Sequence, residues 1–167
     1  SHVPLHTTEN YNGQLTNQKG IHGLWESRLV EINSPNYDYF VGKARYINSL
    51  ESFIWETITT SHQAVDSVLF IERQVTEETN KDKKYSFEQR GNKTVRVYSY
   101  EFSQEYHSRM NRMVERRLRA AIRATASIWY TAWIDAGQPE LSALQNTPPS
   151  VELLREMQTL DAHYDHG

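Results

Sequence analysis

The chain has 167 residues, which is enough for one domain with a buried core and too few for two comfortable domains. Its net charge of −3 provides no overall basic field, which argues against a general nucleic-acid binder. It contains no cysteine, so disulfides, thiol catalysis and cysteine-ligated zinc are excluded, and any metal must be held by His, Asp or Glu. No apolar run approaches the ~20 residues that a transmembrane helix needs.

The first part of the chain predicts a loop followed by a short helix. Residues 1 to about 19 are polar and turn-forming, and Gly13 and Gly20 break any periodic pattern. Over residues 20–32 the apolar side chains fall on one stripe at helical spacing, which predicts a helix. Residues 33–36, Asn-Ser-Pro-Asn, should end that helix.

A longer helix is predicted over residues 47–76, because apolar side chains recur there at spacings of three and four. Glu72 interrupts this apolar stripe. The following residues, 77–84, are rich in charge and should form an exposed connection.

Residues 85–98 are the one stretch that resembles a β-sheet. Val95 and Val97 alternate with polar residues, as in a strand with one buried face. Gly91 and Asn92 could close a hairpin turn between two strands.

A third helix is predicted over residues 103–136, where apolar side chains form one broad stripe. Gly137 followed by Pro139 is a typical stop signal. A short final helix is expected over residues 151–160, and residues 161–167 should form a tail.

Together these elements predict a mainly α fold, a bundle of long helices joined by loops with at most one short hairpin. Residues 1–146 would form the helical domain, and residues 147–167 would add the short helix and the tail. No internal repeat or low-complexity segment is visible.

One set of residues has the spacing of a metal site. His22 and Glu26 are four residues apart on a predicted helix, so their side chains project from one face and can coordinate the same ion. His6 precedes them across a polar loop that is long enough to fold back. Two imidazoles and one carboxylate leave a fourth position for water, as catalytic zinc requires. The alternative is an ordinary surface pair of His22 and Glu26, which occurs by chance in many helices.

The residues around this set resemble a known family. Residues 2–6, His-Val-Pro-Leu-His, resemble the second half of the motif His-xxx-Asp-x-His-x-Pro-x-His. This motif belongs to the bacterial zinc-dependent phospholipase C family and to the related zinc nucleases specific for single strands. Residues 20–26, Gly-Ile-His-Gly-Leu-Trp-Glu, look like the downstream His-xxx-Asp/Glu segment of that family. The match is specific over residues 2–26, and beyond them it depends on the helical pattern alone.

The resemblance implies that His6, His22 and Glu26 bind one zinc of a cluster that holds three in the family. It implies that His2 is not a direct ligand. The other family ligands stand upstream, beginning with an Asp one place before Ser1. The chain is therefore expected to be a C-terminal part that is inactive alone and that associates with the N-terminal half of the same protein. The resemblance also implies that the full-length protein containing this chain, called the parent below, is periplasmic or secreted.

For the parent, the resemblance implies hydrolysis of a phosphate ester, in which zinc activates water and neutralises charge on the phosphoryl oxygens. The substrate would be a phospholipid headgroup or a nucleotide, and Glu26 in place of Asp favours the phospholipase branch. The general base of the family, an upstream Asp, has no counterpart here, so no catalytic base is assigned. The third hypothesis is a non-catalytic interaction domain whose apolar helix faces bind a partner.

The other histidines are interpreted more conservatively. His62 and His107 fall within predicted helices and are expected to be surface or hydrogen-bonded core histidines. The His and Asp residues of the tail, 163–166, could bind metal, but a frayed end is the stronger interpretation. Trp25 could shield an ion at His22, and core packing explains it equally well.

A run of arginines on the third predicted helix could bind phosphate. Glu105 and Glu115 are interleaved with this run, so pairing between neighbouring helical turns is expected to account for most of it. The run consists of Arg109, Arg112, Arg116, Arg117, Arg119 and Arg123.

Overall fold

The computed structural model describes residues 2–144 and 147–155, and the chain divides into two compact units at 132/133. Most of the described residues lie in helices, which confirms the predicted mainly α class. Among them there is no helix with both the length and the apolar character required to cross a bilayer.

The second unit begins at residue 133. It contains a 3₁₀ turn at Leu141–Leu144 and a helical segment at 151–155. The indole Nε1 of Trp133 donates to the carbonyl of Pro139 at 2.9 Å. The rest of the predicted final helix and the tail lie outside the described residues, and the predicted domain division at 146/147 stays a prediction.

The N-terminal segment is a loop, as predicted, with one short 3₁₀ turn at Pro4–Thr7. Pro4 and Leu5 are buried and attach this turn to the core. Gly13 has a φ of +72°, and the Gln18 backbone lies so close that a side chain would not fit at this position. The glycine therefore allows the tight turn that returns the chain toward the first helix.

The predicted helix over residues 20–32 is present, and its middle turn is widened. Helix α1, Ile21–Gly23, passes into a π-helical turn, Leu24–Arg28, and then into helix α2, Leu29–Asn33. A 3₁₀ turn at Ser34–Asn36 ends the segment at its proline. Single π-helical turns inside α-helices are frequent at functional sites, and this one carries Glu26.

The helix predicted over residues 47–76 is in fact two helices, α3 at Leu50–His62 and α4 at Val65–Glu78. Ser49 caps the start of α3 by accepting from the Ser52 amide at 3.3 Å. Near its end the hydroxyls bond back to carbonyls four residues earlier, and such back-bonding bends helices. These hydroxyls belong to Thr57, Thr60 and Ser61.

The apolar spacing continues across this break, which is why periodicity alone predicted a single helix. The connection predicted over residues 77–84 also starts later, because α4 continues to Glu78.

The predicted hairpin is confirmed. Strand β1, Tyr85–Arg90, pairs antiparallel with strand β2, Lys93–Tyr98, so that Tyr85 faces Tyr98 and Arg90 faces Lys93. Gly91, with a φ of +58°, begins the two-residue turn between them. The Tyr98 ring stacks on Phe102 at 5.5 Å, which attaches the hairpin to the next helix.

The helix predicted over residues 103–136 is also two helices, α5 at Tyr100–Arg109 and α6 at Met113–Asp135. Helix α5 starts earlier than predicted because Ser99 caps it, accepting from the Phe102 amide at 3.2 Å. Asn111 and Arg112 separate the two helices with φ values of 49° and 54°. Asn tolerates this left-handed conformation better than most residues, so it ends α5 locally.

The core of the first unit lies among α1, the π-helical turn, α2, α4, β2, α5 and the start of α6. Buried apolar side chains from all of these elements, and from the N-terminal turn, form one cluster. Its members are Leu5, Ile21, Leu24, Trp25, Leu29, Tyr37, Val68, Val75, Tyr98, Phe102, Tyr106, Met110 and Val114.

Arg28 joins the first helical segment to the hairpin. Its guanidinium donates to both carboxylate oxygens of Glu88, at 2.5 and 3.1 Å, and to the Tyr98 carbonyl at 3.0 Å.

We expect Arg28→Lys to destabilise the fold by roughly 1–3 kcal/mol, because an ammonium cannot make this forked set of bonds. Urea unfolding measures the change. Arg73→Lys, at an exposed position on α4, is the control, and an equal loss in both variants would contradict the assignment.

Candidate metal centre

The three predicted ligands are held in place by their neighbours in the chain. We call His6, His22 and Glu26 the triad. Each of them directly follows an apolar residue that is no more than 3% exposed, so the backbone beside each ligand is fixed in the core. These buried residues are Leu5, Ile21 and Trp25. Trp25 is therefore a core residue, as the packing interpretation predicted.

The structure brings the three side chains together. His6 Nε2 lies 3.0 Å from His22 Nε2 and 3.3 Å from Glu26 Oε2. His22 Nε2 lies 2.6 Å from the same Glu26 oxygen. Zinc ligands at ~2.0–2.1 Å in a tetrahedral arrangement are about 3.3 Å apart, so a change of no more than about 0.7 Å in any of the three distances would fit the triad to one ion.

Hydrogen bonds among the three side chains explain this geometry less well than a shared metal ion does. Each imidazole Nε2 carries either one proton or one lone pair, and the carboxylate only accepts. Whichever tautomers are present, protons satisfy at most two of the three contacts and leave the third between like groups. A cation instead takes a lone pair from each of the three atoms, which favours a metal site over an ordinary surface pair.

The triad is open on one side. The side chains of His6, His22 and Glu26 are 40%, 29% and 42% exposed, so water or a ligand can reach a shared ion. The rings of Tyr11 and His22 lie edge to face, with their centroids 5.9 Å apart. Two neutral imidazoles and one carboxylate carry a charge of −1, which suits a divalent cation.

A cavity of about 380 Å³ adjoins the triad through His6. Its wall includes the exposed Trp55 and His62, both from α3. The ring Nδ1 of His62 lies 3.0 Å from the Thr7 carbonyl, which requires Nδ1 to be the donor. His62 is thus a surface histidine, which is one of the two predicted alternatives. Its position beside His6 was not predicted, because no local spacing connects residues 56 positions apart.

Of the other histidines that the structure describes, His2 and His107 take no part in the triad. His107 is buried and stacks on Tyr37 at 6.0 Å, and burial lowers the pKa of its imidazole. Burial also raises the pKa of the Tyr37 hydroxyl, to about 12. His2 lines a different cavity, and the tail residues 163–166 lie outside the described residues.

Among the described residues the triad is the one group of three or more His, Cys, Asp or Glu side chains arranged to hold a metal ion. Its donors are two imidazole nitrogens and one carboxylate oxygen that face a common point accessible to solvent. The triad can therefore coordinate one metal ion and leave it open to water or a ligand. Comparison of the chain with models of known protein families, with curated proteins and with solved structures finds no match.

Proposed function

We propose that the protein is a zinc-dependent hydrolase of phosphate esters, similar to phospholipase C, in which the triad holds one zinc. The observation that supports it most directly is the convergence of His6 Nε2, His22 Nε2 and Glu26 Oε2 within 3.3 Å of one another. The likeness of residues 2–26 to the zinc phospholipase C and nuclease motif supplies the reaction class.

Zinc is the metal that the donor set favours. Calcium and magnesium prefer shells of oxygen ligands, whereas two imidazoles and a carboxylate are a typical catalytic zinc set. Copper and nickel also bind imidazole, so metal competition experiments are part of the identification.

The triad residues act as ligands rather than as proton carriers in this proposal. When bound, zinc lowers the pKa of a coordinated water to about 7 and stabilises negative charge on phosphoryl oxygens. His6 and His22 each direct the Nε2 lone pair to the ion, so these nitrogens are not available for proton transfer. Glu26 would offset one positive charge of the ion, and the Tyr11 ring packs edge to face with the His22 ring. No residue of the chain is assigned as general base.

The proposal also concerns a longer natural protein, of which this chain would be a part. It requires an Asp directly before Ser1 and a His four residues further upstream, which would complete the family motif. The ligands of two further zincs would come from the N-terminal half, which would pack on the helices of this chain to form a bundle. The parent would be periplasmic or secreted. Reading the natural gene upstream of Ser1 tests this requirement directly.

Hydrolysis of phosphodiesters by the natural full-length protein is the functional test. We expect zinc-dependent cleavage that falls at least about 100-fold in the His22→Ala, Glu26→Ala double variant, because loss of ligands costs more than the 10–100-fold typical of their supporting residues. Glu77→Ala removes an exposed carboxylate from α4 and should leave the rate unchanged. Phosphatidylcholine and single-stranded DNA are assayed in parallel, since the ligands do not distinguish the phospholipase from the nuclease branch. A zinc-loaded protein that cleaves neither substrate would contradict the proposal.

A non-catalytic interaction domain is the second candidate, and a separate observation favours it. Several large aromatic side chains are mostly exposed, with Phe40 at 83%, Trp129 at 73% and Trp55 at 61%. Exposed apolar surface of this kind is typical of binding sites for other proteins. Self-association in sedimentation experiments that is concentration-dependent and unaffected by chelator would favour this candidate over the hydrolase.

A further inference from the structure

The arginines of α5 and α6 divide into two groups in the structure. Three of them form ion pairs with carboxylates, but the interleaved Glu105 and Glu115 account for only two of the six arginines, fewer than predicted. The paired arginines are Arg109 with Glu78 and Glu105, Arg112 with Glu115, and Arg119 with Asp38. Arg116, Arg117 and Arg123, by contrast, form no ion pair with any carboxylate of the described residues.

Arg117 and Arg123 line the same cavity of the first unit as a third arginine that has no ion pair among the described residues. Arg45, from the loop before α3, also lacks an ion pair within the described part of the chain. The three arginines are among the residues that line a space of about 440 Å³ between α3 and α6. Ile47 and Phe53 give part of its wall an apolar character.

The cavity is strongly positive in a chain whose net charge is −3. Its lining carries three arginines and one carboxylate, Glu56. Arg117 is partly buried, and its guanidinium donates to the Thr60 carbonyl. Burial, followed by repulsion from Arg116, lowers the pKa of Arg117, as expected for a cation without a counter-ion.

Hydrogen bonds to α6 hold the arginine loop in position. The Arg45 amide donates to the Ser127 hydroxyl at 3.2 Å, and the Ile47 amide donates to the Thr131 hydroxyl at 2.9 Å. Both hydroxyls belong to buried residues. The loop that carries Arg45 is therefore positioned before any ligand arrives, which lowers the entropic cost of binding.

We propose that this cavity binds the phosphate group of a small phosphomonoester that carries an apolar substituent. Guanidinium groups bind phosphate oxygens through paired charge-assisted hydrogen bonds, and three of them suit a dianion. The apolar wall at Ile47 and Phe53 suits the substituent. A small ligand is favoured over a membrane or a nucleic acid because the positive charge lines a concavity and the chain as a whole is acidic. No triad residue lines this cavity, so the site is independent of the metal centre.

Calorimetric titration of zinc-free protein with inorganic phosphate and with phenyl phosphate tests the proposal. The His22→Ala, Glu26→Ala background excludes phosphate bound through a metal at the triad. We expect one saturable site, tighter binding of phenyl phosphate, and a Kd at least about tenfold higher in Arg117→Ala and in Arg123→Ala. Arg123 is exposed, so its variant should fold normally even if the partly buried Arg117 proves necessary for stability.

Two further variants make the test specific. Arg73→Ala removes an exposed arginine that does not line the cavity and should change the Kd by less than about twofold. Glu56→Gln removes the carboxylate of the cavity and should tighten phosphate binding. Absence of saturable binding to the wild-type protein overturns the proposal, and so does an equal weakening in Arg73→Ala and Arg123→Ala.

Discussion

Zinc is expected to bind the wild-type protein at about one ion per chain, and the His22→Ala, Glu26→Ala double variant is expected to lose it. The reason is that removing two of three ligands leaves a single imidazole, which cannot hold zinc against water. Elemental analysis of protein purified without chelator measures the stoichiometry. Wild-type protein without zinc, or a double variant that retains it, would contradict the assignment of the triad.

Zinc binding at the triad should also stabilise the folded state of the protein. A free zinc concentration of 100 times the Kd stabilises the folded state by about 2.7 kcal/mol, because the unfolded chain does not preserve the triad. For a chain of this size that corresponds to a rise in Tm of roughly 5–11 °C, which chelator should reverse. Glu77→Ala, which removes an exposed carboxylate outside the triad, should keep both the zinc and the shift in Tm. A wild-type Tm that does not respond to zinc would argue against a shared ion.

Lys84→Met is expected to destabilise the protein by about 3–5 kcal/mol, because it leaves the buried Glu72 without its counter-charge. The Glu72 side chain is fully buried, and Lys84 Nζ lies 2.8 Å from its Oε1. Gln18 donates to Oε2 at 2.5 Å, and the Thr76 hydroxyl donates to Oε1 at 2.9 Å. Urea unfolding measures the loss of stability.

The substitution to methionine is chosen to isolate the charge. The Lys84 ammonium lies 5.1 Å from the Phe102 ring and within 5.8 Å of two tyrosine rings, so methionine removes these cation–π contacts together with the charge while filling a similar space beside the rings. Lys83→Met, at the exposed neighbouring position, should cost no more than about 0.5 kcal/mol. A double variant with Glu72→Met should recover most of the lost stability, since a buried ion pair is often replaceable by apolar residues. If the double variant is as unstable as Lys84→Met, packing rather than charge explains the effect.

Local patterns predicted much of the fold. The alternation of Val95 and Val97 and the glycine at 91 were enough for the hairpin, and apolar spacing located the helical regions. The breaks at 63–64 and at 111–112 were missed because the apolar stripe continues across both of them. Back-bonding hydroxyls precede the first break, and left-handed backbone at Asn111 and Arg112 marks the second. Such features bend the chain without changing its hydrophobic pattern.

The sequence by itself determined the mainly α class, the hairpin and the pairing of His22 with Glu26, since each of these depends on residues only a few positions apart. Only the tertiary structure decided which distant groups meet. It buries Glu72 against Lys84 rather than exposing it, brings His62 beside His6, and separates the paired arginines from those that line a cavity. The physical reason is that charge compensation depends on where segments far apart in the chain pack, and helical or strand periodicity carries no information about that packing.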